Sequence, residues 1–112
     1  MKLTKHAYEA LQGADECAHK LGHDHIGAEH IFLGILAIPD CAACSRLRAL
    51  GLSPADLAES LRSAISSGAE ATLQRGKLPM SARTKKILDM AEMEAGKDAL
   101  VGTTHLVMAI LR

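Results

Sequence analysis

Cysteine and histidine crowd the first half of the chain, as Cys17, His19, His23, His25, His30 and the pair Cys41-Ala-Ala-Cys44. Zinc takes thiolates and imidazoles in tetrahedral sets, so a C-x-x-C beside an H-x-H offers four ligands. A C-x-x-C at a helix start also suggests a redox pair, because the helix N-terminus lowers a thiol pKa. Neither pattern is complete: there is one such pair, its spacing to the histidines fits no zinc signature, and no βαβ pattern surrounds it. Small cysteines packing a helical core are the commoner case, and His30 and His105, each ahead of an apolar run, are expected to bond backbone at a helix start. No metal and no cofactor is expected. A metal- or redox-sensing helical protein using Cys41, Cys44 and the histidine cluster is the rival reading from another class.

Catalysis has little support. The chain contains no G-x-x-x-x-G-K-[ST] loop for a nucleotide, and no serine and histidine stand with an orienting third group, so the expectation is that it is not an enzyme. What is left are groups suited to recognition. Thr4 and Ser81 are hydroxyls placed to cap helices, and Glu29 is a carboxylate in a first helical turn. Arg83, Lys85 and Lys86 form a basic cluster for which a solvated helix face is the default.

These groups must be held by helices. Ala7, Leu11, Ala14, Ala18 and Leu21 recur at steps of four and three, predicting a helix from Thr4 to Leu21 closed by Gly22. Glu29 to Ala37 predicts a short helix apolar on almost every side, hence central, and Cys41 to Leu50 a third closed by Gly51. Ser53 and Pro54 open a fourth, with Leu57, Leu61, Ala64 and Ile65 as its buried stripe. Periodicity fails from Ser66 to Pro79, which predicts an exposed connector. Ser81 opens a fifth helix with Thr84, Ile87, Leu88, Ala91 and Ala95 inward, and Thr104 to Leu111 predicts the last. No segment alternates long enough for a strand, so the fold is expected to be all-α, a compact bundle.

Bulk composition agrees. A chain of 112 residues with 48% hydrophobic residues supports one domain, and one Phe, one Tyr and no Trp leave the core to Ala, Leu, Ile and Met. Lys+Arg 13 balances Asp+Glu 13, so no basic excess marks a nucleic-acid surface. No apolar run approaches the roughly 18 residues of a membrane span, and no secretory pattern opens the chain. A cytoplasmic location is expected, without a membrane or nucleic-acid partner.

The chain also repeats itself. Laying Leu3-Thr4 over Met80-Ser81 aligns Leu11 with Leu88, Ala14 with Ala91 and Ala18 with Ala95; after a shortening of two residues Gly27 falls on Gly102, His30 on His105 and Ile35-Leu36 on Ile110-Leu111. This predicts repeat one over 3–66, a connector over 67–79 and a partial repeat two over 80–112, without counterparts of the third and fourth helices.

The matched stretches, "LGHDHIGAEHIFLGIL" with the helix before it and "VGTTHLVMAIL" with its own, resemble the double repeat of the Clp N-terminal domain, the module ahead of the ATPase rings of ClpA/ClpC-type AAA+ unfoldases. The resemblance covers almost the whole chain. It implies a pseudo-twofold helical domain that does no chemistry and binds adaptors or substrates for a Clp ATPase or protease assembly; a free-standing Clp-N-like regulator is the alternative within that class. In the ClpC branch it further implies that each repeat can hold phosphoarginine. Such a ligand needs amides at a helix N-terminus for the phosphoryl group and a carboxylate for the guanidinium. On this reading Thr4 and Glu29 form one site, provided their helix starts converge. The second site, Ser81 with Thr104 and with Arg83 and Lys85 as secondary candidates, is weaker because a neutral hydroxyl replaces the carboxylate. Ala28 departs from the Thr that usually follows Gly27, whereas Thr103 keeps that hydroxyl.

Overall fold

The computed structural model describes residues 2–65, 79–96 and 99–111. Among them are six helices: α1 (Lys5–Lys20), α2 (Ala28–Leu36), α3 (Ala42–Ala49), α4 (Pro54–Ala64), α5 (Ala82–Ala95) and α6 (Thr103–Leu111). All are within a residue or two of the predicted spans, and among the described residues there is no strand beyond isolated bridges. The expected connector lies outside the described residues except for Pro79. No described helix is long and apolar enough to cross a membrane.

Side-chain oxygens cap three of the predicted starts: Thr4 Oγ1 accepts from the Ala7 amide, Ser53 Oγ from Asp56 and Ser81 Oγ from Thr84. Each satisfies one of the amides that a helix start leaves without an intrahelical partner. Gly22 and Gly51 follow their helices at φ 72° and 82°, the left-handed region that glycine enters without a Cβ clash.

Small residues set the central packing. Ala7, Ala10, Ala14 and Ala18 make a fully buried stripe along α1, and α2 lies on it so closely that a Cβ on Gly34 would collide with the Ala10 carbonyl oxygen. Ile31 and Ile35 of α2 are fully buried in that cluster, each contributing roughly 1.5–3 kcal/mol of transfer free energy. On its other side α2 presents Leu33 and Leu36 to Leu57, Ala58, Leu61 and Ile65 of α4 and its end. Ala64, expected in that stripe, is exposed. It sits in the last residue of α4, which covers α2 with one edge only.

Candidate recognition site at the crossed helix starts

Two parallel backbone bridges, Leu3 with Val101 and Ile26 with Met80, decide which helix starts meet. At the first seam the Thr4 amide donates to Val101 O at 2.9 Å and the Val101 amide to Lys2 O at 2.7 Å. At the second, the Ile26 amide donates to Pro79 O at 2.9 Å and the Ser81 amide to Ile26 O at 3.3 Å. Each seam therefore joins the long-helix start of one repeat to the short-helix start of the other.

The backbone bonds of both long-helix starts thus run to the other repeat. Thr4 was expected to share a site with Glu29, but its backbone is bonded ahead of α6, and its side chain lies 3.6 Å from the Cβ position of Gly102. Ser81, expected with Thr104, is bonded instead to the segment two residues ahead of α2. The physical reason is that these short segments find their hydrogen-bond partners across the pseudo-twofold axis. One seam sets Thr4 against Val101 and Gly102, ahead of α6; the other sets Ser81, the cap of α5, against Ile26, two residues ahead of α2, with Arg83 and Lys85 exposed on the first turn of α5 and Thr103 Oγ1 accepting from the Ala43 amide at 3.1 Å.

Hydroxyls tie the second seam down. Thr84 is fully buried and its hydroxyl donates to Ile26 O at 2.8 Å. That uses its only proton, so in the 2.8 Å contact between the two hydroxyls Ser81 is the donor. Glu29 folds back over Gly27, its carboxylate oxygens 2.5 and 2.9 Å from where a Gly27 Cβ would stand. It also borders an open depression of about 460 Å³ with His23, His25 and Leu61, Ala64 and Ile65 from the end of α4.

Both histidines ahead of the apolar helices bond backbone as expected. Gly27 and Gly102 have no side chain to reach their own helices. Their amides donate instead to His30 Nδ1 at 2.8 Å and His105 Nδ1 at 2.9 Å, the returning half of a capping box. With Nδ1 of His30 accepting, its proton is on Nε2 and is donated to His23 Nδ1, 2.7 Å away. His30 is fully buried, and burial, partly opposed by Glu29, lowers its pKa from 6.5. A folded-state pKa below the unfolded one means that the unfolded chain binds more protons in between, so stability is full above about pH 6.5 and is lost as pH falls through the folded value. Thermal melts from about pH 7.5 to 5 are expected to show this decline, and His30→Gln, which keeps an acceptor for the Gly27 amide, to flatten it. An unchanged slope in the variant would contradict the assignment.

The cysteines serve packing. Cys41 and Cys44 are fully buried, and both thiols donate to Ile35 O, at 3.6 and 3.4 Å. Burial, with the Cys41 hydrogen bond second, pushes the Cys44 thiol up to about 12, the opposite of a reactive cysteine. His23 is engaged with His30, and among the described residues no three His, Cys, Asp or Glu gather as a metal site. The Cys41–Cys44 pair therefore gives no support to the metal- or redox-sensing rival.

Six described helices in two repeats that exchange helix starts across two seams form a specific architecture. The chain belongs to the Clp repeat N-terminal domain family, whose model matches residues 2–112. Over 113 aligned residues it is 34% identical to the negative regulator of genetic competence ClpC/MecB of Bacillus subtilis, covering 99% of this chain and 14% of that protein. The ATP-dependent Clp protease ATP-binding subunit ClpC of Staphylococcus saprophyticus is 32% identical over 99% of this chain and 13% of that protein. The chain thus spans about one seventh of these relatives. Among solved structures, the N-domain of ClpV from Vibrio cholerae matches with TM-score 0.82 at 18% identity over 98% of this chain and 66% of that one. The Hsp104 N-terminal domain from Candida albicans matches with TM-score 0.81 at 15% identity over 100% and 75%. These two likenesses concern the fold.

Proposed function

We propose that this domain is a non-catalytic recognition module that tethers adaptor or substrate proteins beside a Clp-type unfoldase, raising their local concentration at the machine. Membership of the Clp repeat family supports this reading of the module. We further propose that phosphoarginine, if displayed by the partner, is taken at the second seam. Glu29 pairs the guanidinium, and the first turn of α5, with Ser81, Arg83 and Lys85, receives the phosphoryl group through amides and positive charge. The carrying observation is the Ser81 and Thr84 bonding to Ile26, which brings an anion-attracting helix start next to the segment that bears the carboxylate. The first seam offers Thr4 and Thr104 but no acid, so it is the weaker site.

Gly27→Ala provides a test that leaves the charges intact. Gly27 has φ −106°, which alanine tolerates, and the three heavy atoms nearest its Cβ would all belong to the movable carboxylate end of Glu29. The variant is expected to lose about 1 kcal/mol of stability, because alanine is a poorer N-cap than glycine, and to bind a phosphoarginine peptide about tenfold more weakly by calorimetry while still folded, because the carboxylate is displaced. Equal affinity would remove Glu29 from the site.

A further inference from the structure

The two repeats carry opposite charges at one equivalent position. Laying the long helices over each other puts Glu9 of α1 on Lys86 of α5, and both are exposed. They also pack differently. In repeat one the backbones of Gly13 and Gly34 meet, since a Cβ on Gly13 would stand 3.5 Å from the Gly34 Cα. In repeat two Met90 and Ala109 hold those positions, and a groove of about 380 Å³ runs between α5 and α6. Ile87, Met90, Ala109 and Ile110 give it an apolar floor, and Arg83 and Lys86 line it without an acid. Repeat one presents a ridge instead. Tyr8 is half exposed on it, with Gln12 donating to its hydroxyl at 3.0 Å. Glu9 and Glu16 are exposed two turns apart on one side of that helix, between Lys5 and Lys20 at its ends.

We infer that the α1 ridge of one copy of this chain seats in the α5–α6 groove of a second copy. Tyr8 lies over the apolar floor, which takes an aromatic ring out of water, and Glu9 meets Lys86 and Arg83. A convex surface with acids at its middle and a concave basic one on the same chain define a heterologous contact, for which each copy brings both halves. With a formal net charge of zero, no overall repulsion opposes the pairing. One helix ridge in one groove is a small interface, of the weak and transient class. The inference is independent of the phosphoarginine reading and makes no use of Glu29.

Sedimentation velocity from roughly 10 µM to 1 mM, the range of weak contacts, is the test. The average mass is expected to rise above that of one chain, and the emission of Tyr8, the one tyrosine of a chain without Trp, to change over the same range. Glu9→Lys and Lys86→Glu should each weaken association about tenfold with an unchanged melting temperature, both positions being exposed. Mixed in equal amounts, the two variants should associate as the parent does, because each supplies the charge that the other has reversed. Added salt should weaken the parent and the mixture alike. The mass of one chain throughout would overturn the inference. So would single variants that associate like the parent, or a mixture that stays dissociated. A Glu-rich peptide that shifts the Met90 and Ile110 methyls of a chain still monomeric at the top of that range would give the groove to a foreign protein and overturn the pairing as well.

Discussion

Gly34→Ala is expected to destabilise the domain by about 2 kcal/mol, and Gly34→Val to prevent a cooperative fold. The new Cβ would point at the Ala10 carbonyl and the Ala14 amide of α1, backbone atoms that cannot swing aside, so α1 and α2 must separate along their whole contact. Overpacking of this kind costs about 1–3 kcal/mol and occasionally more, and the helix propensity gained over glycine offsets about 1 kcal/mol. For Ala the net corresponds to roughly 10 °C in melting temperature. Gly13→Ala is the internal control. Its Cβ would stand 3.5 Å from the Gly34 Cα, an ordinary contact, and the same propensity gain should leave stability equal or up to about 1 kcal/mol higher. Melts of the three variants check the account; a harmless Gly34→Ala would mean that the helices are not in backbone contact.

The second large effect concerns binding. Removing one partner of a hydrogen-bonded charge pair costs about 2–5 kcal/mol. Glu29 is half-buried, which places Glu29→Gln at the lower end, near a thirtyfold loss for a phosphoarginine peptide. Its melt should move little, since a first-turn carboxylate contributes only about 0.3–1 kcal/mol through the helix dipole. The converse substitution is Thr104→Glu. It supplies the acid that the first seam lacks, beside the Thr4-capped start of α1, and calorimetry should then show a stoichiometry approaching two. If Glu29→Gln binds like the parent, the domain is a docking scaffold without this pocket.

Much of the architecture was legible in the sequence. The alanine stripe of α1, the hydroxyl caps Thr4, Ser53 and Ser81, and the all-round apolarity of Ile31 to Leu36 each express one local rule, and the helices follow. His30 and His105 were readable as backbone ligands because a glycine stands at each N-cap. The crossing of the seams was not. It is made by single parallel bridges at Leu3, Ile26, Met80 and Val101, too short to show alternation, and their bonds are backbone bonds that no side chain reports. The one available signal was an apolar residue directly before each cap or glycine in all four places. Thr84, expected on the inner stripe, is there as the hydroxyl that fastens α5 to Ile26.

The crossed pairing is tested most directly by titrating free phosphoarginine into the labelled chain and following every amide. Shifts confined to Gly27–His30 and Ser81–Lys85, with Thr4 and Gly102–His105 unmoved, are the predicted result. A response centred on Thr4 together with Glu29 and silent at Ser81, or one centred on Thr4 and Thr104, would contradict the account.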